Sequence, residues 1–279
     1  MKMTRFTCAA FDLDGTLLNA HSQLSVRTKK ALEALYHAGI PVIVASGRPF
    51  STIPSEILEE PAVRYIVTGN GVRIYDQQAQ QDIYSCALTA EALKEILHVA
   101  HYYPVGYEFF VEGRAFANSS FLADMARFGV PERAFHYMKA SRQPVEDVAA
   151  FIKAYSGSID SMGLSMADMF LKKQLWGRLE KEVEGIYVTS SVPRLIEIAD
   201  QRAGKASALA VILEKLGLDP SGMAAFGDAD NDLGMLELAG CGVAMANGDG
   251  HLKAAADRIA PHHDEDGVAQ VLEELLKEF

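Results

Sequence analysis

The sequence predicts an α/β fold, a doubly wound Rossmann-like parallel sheet with an α+β domain inserted into it. Three observations carry this. Apolar runs at 5–11, 41–46 and 63–68 lack the polar alternation of a half-exposed strand, as strands buried on both faces do. A helical segment separates the first two, and strand–helix–strand order winds a parallel sheet. The same alternation returns after residue 205, whereas the stretch between reads as paired strands with short turns.

The elements follow in order. "RFTCAAF" is the first strand. "SVRTKKALEALYHAG" is a helix with Ser25 as N-cap, a stripe of Ala31, Leu32 and Leu35, and Gly39 past its end. "PVIVAS" and "VRYIVT" are the next two strands. Near the C-terminus, 205–217 reads as a helix, 223–228, 242–247 and 257–261 as strands, and 266–279 as an amphipathic helix. In the middle, strands are expected at 105–112, 114–117, 158–165 and 186–191, with helices at 89–101, 119–128, 146–154 and 168–184. The expected division is therefore a core of 1–84 and 190–279 with an insertion at 85–189.

Composition narrows the function. The 279 residues are 49% hydrophobic, enough for a full core, and carry a formal net charge of -11. That balance argues against a nucleic-acid partner, whose phosphates call for basic patches, but a small anion can still bind where charge is locally positive. Cys8, Cys86 and Cys241 are too few and too far apart for a disulfide framework, which fits a reducing cytoplasm. The N-terminal apolar stretch is too short for a signal peptide. No run of about 18 apolar residues is present, so no membrane span is expected. The sequence carries no signal for an oligomeric state.

In open α/β sheets, ligands bind beyond the carboxyl ends of the strands. The first strand is followed there by Asp12-Leu13-Asp14-Gly15-Thr16, and the second by Ser46-Gly47-Arg48. Thr68-Gly69-Asn70-Gly71 follows the third, and Gly227-Asp228-Ala229-Asp230-Asn231-Asp232 follows a later one. Lys205 opens a helix. Carboxylates one residue apart repel unless a cation or a proton separates them. Oxygen ligands of this kind suit a hard cation such as Mg²⁺. A hydroxyl, backbone N–H groups and an ammonium suit phosphate.

The set "DLDGTLL", "ASGR", Lys205 and "GDADNDLGMLELAGCGVAMANG" resembles the haloacid dehalogenase-like superfamily, and within it the Cof-type phosphatases with a large (type IIB) cap. The resemblance spans about 5–83 and 190–279; the insertion matches a cap by position and size. It implies a Mg²⁺-dependent phosphatase of a small phosphate monoester, a sugar phosphate or similar metabolite. By it, Asp12 is the nucleophile that forms an aspartyl-phosphate, and Asp14 the acid and base. Ser46, Gly47, Lys205 and Asn231 would hold phosphate. Asp12, Asp228 and the main-chain carbonyl of Asp14 would bind the metal, and Asp232 would support metal and lysine. Relatives commonly have Gly after the lysine, where this chain has Ala206, a residue that suits a helix start. Many also carry a cap lysine that "SIDSMGLSMADMF" lacks.

Alternatives stand beside this reading. A phosphomutase could use the same fold if its cap excluded water. A non-catalytic metabolite-binding module would be expected to have lost Asp12 or Lys205. "DADND" fails as an EF-hand loop, because Leu233 and Ala239 stand where Gly and Glu are required. Arg48 reads as an ion-pairing loop residue, Asn70 and Asn247 as turn asparagines, and "PHHDEDG" as the acidic start of a helix. A helix dipole disfavours a cation at its N-terminus by about 0.3–1 kcal/mol. Replacing Lys205 is therefore expected to leave the melting temperature unchanged or raised.

Overall fold

The computed structural model describes residues 5–278. They divide into two compact units. One holds the described residues up to Arg48, Ile53–Tyr84, and those from Gly204 on; the other holds Pro49–Thr52 and Ser85–Ala203.

The first unit contains β1 (Cys8–Phe11), β2 (Val42–Ala45), β3 (Val63–Thr68), β4 (Arg73–Asp76) and the start of β5 (Gln81–Ser85). The second contains β6 (Gly106–Val111), β7 (Arg114–Asn118), β8 (Arg142–Val145), β9 (Ile159–Ser165), β10 (Ile186–Thr189) and β11 (Leu195–Asp200). The chain then returns to the first through β12 (Met223–Gly227), β13 (Cys241–Met245) and β14 (Arg258–Ala260).

The core sheet runs β14-β13-β12-β1-β2-β3-β4-β5. It is parallel from β14 to β3, and β4 runs antiparallel to β3. Every residue of β1, β2, β12 and β13 is buried, as unbroken apolar runs require. The helix Val26–His37 starts at Ser25, whose hydroxyl accepts the Thr28 N–H at 3.0 Å, and buries Ala31, Leu32 and Leu35. The helix Lys205–Leu216 buries Ala208, Leu209, Ile212 and Leu213 at helical spacing. Gly217 follows it in the left-handed region (φ 64°), where glycine ends a helix without strain.

The second unit is built on an antiparallel sheet, β10-β11-β9-β6-β7-β8, with only its edge pair β7–β8 parallel. One face carries Phe109, Val111, Met162, Leu164, Ile196 and Ile198 against the helices Ala90–Ala100, Val148–Ala154 and Met169–Glu182. A smaller cluster of Ala117, Phe121, Met125, Phe128 and Met138 gathers under the connection from β7 to β8.

The insertion ends later than the expected 189. β11 pairs with β9 and β10, so 190–203 belongs to the inserted unit and the core resumes at Gly204. Five other elements depart from the expectations. β4, β5 and β8 are short strands rich in polar residues; β5 and β8 lie at sheet edges, and β8 contains Pro144. The helix Glu132–Ser141 buries only Met138 and so has no apolar stripe to read. The helix expected over 119–128 is instead Ser119–Ala123 followed by a 3₁₀ turn, Met125–Phe128, capped by the Asp124 side chain.

Candidate active site

The sheet order brings the motif-bearing ends together, because β12, β1, β2 and β3 are neighbours. Phe11 pairs in register with Phe226, and the Asp12 N–H donates to the Phe226 carbonyl at 3.0 Å. Asp12 therefore leaves the sheet beside Gly227 and Asp228.

Lys205 joins the two loops. It is buried at the first turn of its helix, and its Nζ donates to Asp12 Oδ1 at 2.5 Å and to Asp232 Oδ1 at 2.6 Å. The expectation of an unchanged or raised melting temperature on removing it is therefore corrected. Two buried ion pairs outweigh an unfavourable helix dipole of at most about 1 kcal/mol. The start of this helix is fixed by the loop after β3, where the Gly204 N–H donates to the Asn70 carbonyl at 2.7 Å. Gly71 lies so close that a Cβ there would fall 2.3 Å from the Gly204 carbonyl oxygen.

Asp232 is committed to structure. Its second oxygen accepts the N–H groups of Asp228 and Ala229 at 2.9 and 3.0 Å. A Cβ on Gly227 would meet the Asp232 Cβ at 2.4 Å, so only glycine lets the loop close. Asp228 accepts the Thr16 hydroxyl at 3.1 Å through Oδ1. Gly15, at φ +80°, passes its Oδ2 so closely that a Cβ would fall at 2.5 Å.

Asp14 points elsewhere. Its carboxylate is gripped by the guanidinium of Arg48, with Nε to Oδ2 at 2.7 Å and Nη2 to Oδ1 at 2.6 Å. Ser46 is buried on the β2 loop, with Gly47 between it and Arg48. The Ser46 hydroxyl accepts the Arg48 N–H at 3.1 Å, and its carbonyl accepts the Asn70 N–H at 3.0 Å. Asn70 stands at φ 55°, ψ 38°, and its Oδ1 accepts from Asn231 Nδ2 at 2.9 Å. Asn231 Oδ1 is buried without a hydrogen-bond partner, an unmet capacity of the kind a ligand or an ordered water satisfies.

The electrostatics of the cluster suit a bound cation. Carboxylate oxygens of Asp12, Asp228 and Asp232 lie within 4.8 Å of one another. Burial pushes the Asp12 carboxyl well above the usual range, and Asp232 and Asp228 add to the shift against the opposing pull of Lys205. Burial and Asp232 likewise raise Asp228 to about 6. Burial alone would lower Lys205, but the two carboxylates it touches hold its ammonium well above the ordinary lysine value. Three carboxylates against one ammonium leave about two negative charges, which a divalent ion with a preference for oxygen would balance. The donor set therefore fits Mg²⁺. Asp232, filled by Lys205 and two N–H groups, is better suited to support than to ligation. Asp14, held by Arg48, could offer a metal only its main-chain carbonyl.

Against this geometry stand the relatives. The model of the haloacid dehalogenase-like hydrolases matches residues 9–272. The chain belongs to that family. Phosphatase YwpJ of Bacillus subtilis (strain 168) is 30% identical over 290 residues, covering 96% of this chain and 99% of that one. The 5-amino-6-(5-phospho-D-ribitylamino)uracil phosphatase YcsE of the same organism is 27% identical, covering 94% and 93%. The solved structure of the subclass IIB sugar phosphatase BT4131 superposes with a TM-score of 0.79 at 22% identity, covering 96% of this chain and 98% of that one, and so shares its fold. This haloacid dehalogenase-like hydrolase is a phosphatase acting on small phosphorylated substrates.

Several residues here escape sequence reading. Thr16, Asn70 and Asn247 make site hydrogen bonds through side chains that look like ordinary turn chemistry. Arg48 does form the ion pair its loop suggests, and its partner is Asp14. The residues of "PHHDEDG" do more than open a helix: His263 and Asp264 bond to the loop after β1.

Proposed function

We propose that this phosphatase hydrolyses a small phosphate monoester, a sugar phosphate or similar metabolite, in the cytoplasm, with Mg²⁺ and an aspartyl-phosphate on Asp12. The observation that carries the reading is Lys205 bridging Asp12 and Asp232 in a cluster with Asp228. The names of the relatives support the substrate class. Among the described residues no helix is long and apolar enough to cross a membrane.

Asp12, Asp228 and the carbonyl of Asp14 would hold the metal. Bound there, Mg²⁺ would offset the charge of the carboxylates and of the phosphoryl oxygens. An oxygen of Asp12 attacks phosphorus in line with the ester oxygen, and the bond from phosphorus to that oxygen breaks. Asp14 gives the departing oxygen its proton. Water then attacks the acyl phosphate and loses a proton to Asp14. The bond from phosphorus to Asp12 breaks, and inorganic phosphate leaves. Lys205, Ser46, the Gly47 N–H and Asn231 hold the phosphoryl oxygens, and Asp232 keeps Lys205 and the Asp228 loop in place.

A panel of phosphate monoesters assayed with Mg²⁺ tests this. Sugar phosphates should lead in kcat/KM, with phosphate released. No phosphate release from any monoester would contradict it.

A further inference from the structure

The loop from Asp12 to Gln23 is two successive turns. Leu17 and Leu18 N–H groups donate back to Asp12 and Leu13 at 3.2 and 2.9 Å, and Asn19 closes the second turn with Gln23 at 3.0 Å. Residues more than 220 positions away hold it. Asn247 Nδ2 donates to the Gly15 carbonyl at 2.7 Å. His263 Nδ1 lies 2.7 Å from the Leu18 carbonyl. A carbonyl only accepts, so Nδ1 carries the proton. Asp264 Oδ1 accepts the Ala20 N–H at 2.7 Å. The contacts are tied together, since Asn247 Oδ1 accepts the His263 N–H at 3.1 Å. The same strand end reaches the opposite loop, where the Asp249 N–H donates to the Asp228 carbonyl at 2.9 Å.

The contact at Gly15 falls at a sensitive point. Gly15 follows Asp14, precedes Thr16, and passes against the carboxylate of Asp228. A shift there moves the acid and base, the Asp14 carbonyl and the Thr16–Asp228 bond together.

We propose that Asn247 and His263 are positioning residues that clamp the Asp14 loop in its working geometry. Neither touches the reacting atoms; they act through Gly15 and Leu18. The inference rests on the reading of Asp14 as acid and base, and its test separates the two. Asn247→Ala and His263→Ala each remove one grip. His263→Asn keeps a donor close to the position of Nδ1.

Two readouts decide. The first is amide exchange. Both alanine variants should exchange the Leu17 and Leu18 N–H groups about tenfold faster, with Val44 in β2 unchanged, and His263→Asn should stay near wild type. The second is the ratio of kcat/KM for an alkyl phosphate to that for p-nitrophenyl phosphate. A poor leaving group needs the acid and p-nitrophenolate hardly does, so the ratio should fall about fivefold or more in the alanine variants and be restored in His263→Asn. Unchanged loop exchange overturns the clamp whatever Asp14 does. Faster exchange with a ratio within about twofold of wild type, in a protein whose Asp14→Asn variant lowers that ratio, makes the clamp merely structural and overturns the proposal. A ratio that Asp14→Asn itself leaves unchanged removes the acid–base reading of Asp14, and with it the clamp's catalytic role.

Discussion

The guanidinium of Arg48 holds both carboxylate oxygens of Asp14, at 2.6 and 2.7 Å, and that carboxylate stands outside the cluster of Asp12, Asp228 and Asp232. Two carboxylates one residue apart are thereby given different partners: Lys205 for Asp12, Arg48 for Asp14. Each carboxylate thus has its own cation, and the two do not compete for one partner.

Arg48→Ala should damage catalysis more than stability. The Asp14 side chain is 52% exposed, and exposed pairs contribute about 0–1 kcal/mol. Melting should therefore shift by a few degrees at most. Loss of the two-point grip should misplace the Asp14 carboxylate and lower kcat/KM for an alkyl phosphate by roughly 10²-fold. A large drop in melting temperature with intact kinetics would assign Arg48 to the fold.

Lys205→Ala should both inactivate and destabilise. The Lys205 and Asp232 side chains are fully enclosed, and removing one partner of a buried pair typically costs about 3–5 kcal/mol. Urea unfolding at neutral pH checks this. A variant as stable as wild type would show that the carboxylates take up protons or solvent at little cost.

Relative to an Asp228→Asn variant, the metal-free protein should lose stability as pH rises from about 4 to 6. Asp228 is raised from 3.8 to about 6 in the fold, and Asp12 is raised as well. Between the unfolded and folded values the native state binds more protons than the unfolded state, so stability falls with increasing pH. Melting curves in EDTA should show that slope, and Mg²⁺ should flatten it. Turnover should stop in EDTA and return with Mg²⁺. The same profile in EDTA for wild type and Asp228→Asn would contradict the charge imbalance on which the metal assignment rests.

The inserted unit offers a separate test. Glu108 and Arg142 pair at 2.9 Å with side chains only 5% and 10% exposed. Burial raises the Glu108 carboxyl, and Arg142 offsets part of that shift. Glu108→Ala should cost about 3–5 kcal/mol, whereas an apolar pair at both positions should come within about 1–2 kcal/mol of wild type. Equal losses in the single and double variants would show that packing at these positions, rather than the pair, sets the cost.

The sequence reveals what burial and adjacency impose. Strands β1, β2 and β12 are legible because both faces are covered and their apolar runs are unbroken, and β3 is interrupted only by the half-buried Arg64. The polar residues that follow them stand out for the same reason. Edge strands such as β5, with Gln81 and Asp82 exposed, obey no such pattern. Pairings across the chain are silent too. Nothing local couples Asn247 to Gly15 or His263 to Leu18, which lie 232 and 245 positions apart. The burial of Lys205 is equally hidden, because a lysine at a helix start is ordinarily solvated and only the folded loops enclose it.

The central claim is that Asp12 carries the phosphoryl group, and trapping it tests the claim most directly. Wild-type and Asp14→Asn enzymes should be mixed with p-nitrophenyl [³²P]phosphate and Mg²⁺, quenched in acid, and digested. Without its base, Asp14→Asn should hydrolyse the intermediate roughly 10²–10⁴-fold more slowly and accumulate label. That label should lie on the peptide containing Asp12, and Asp12→Asn should carry none. Label in Asp12→Asn equal to that in Asp14→Asn, or label confined to another peptide, would contradict the account.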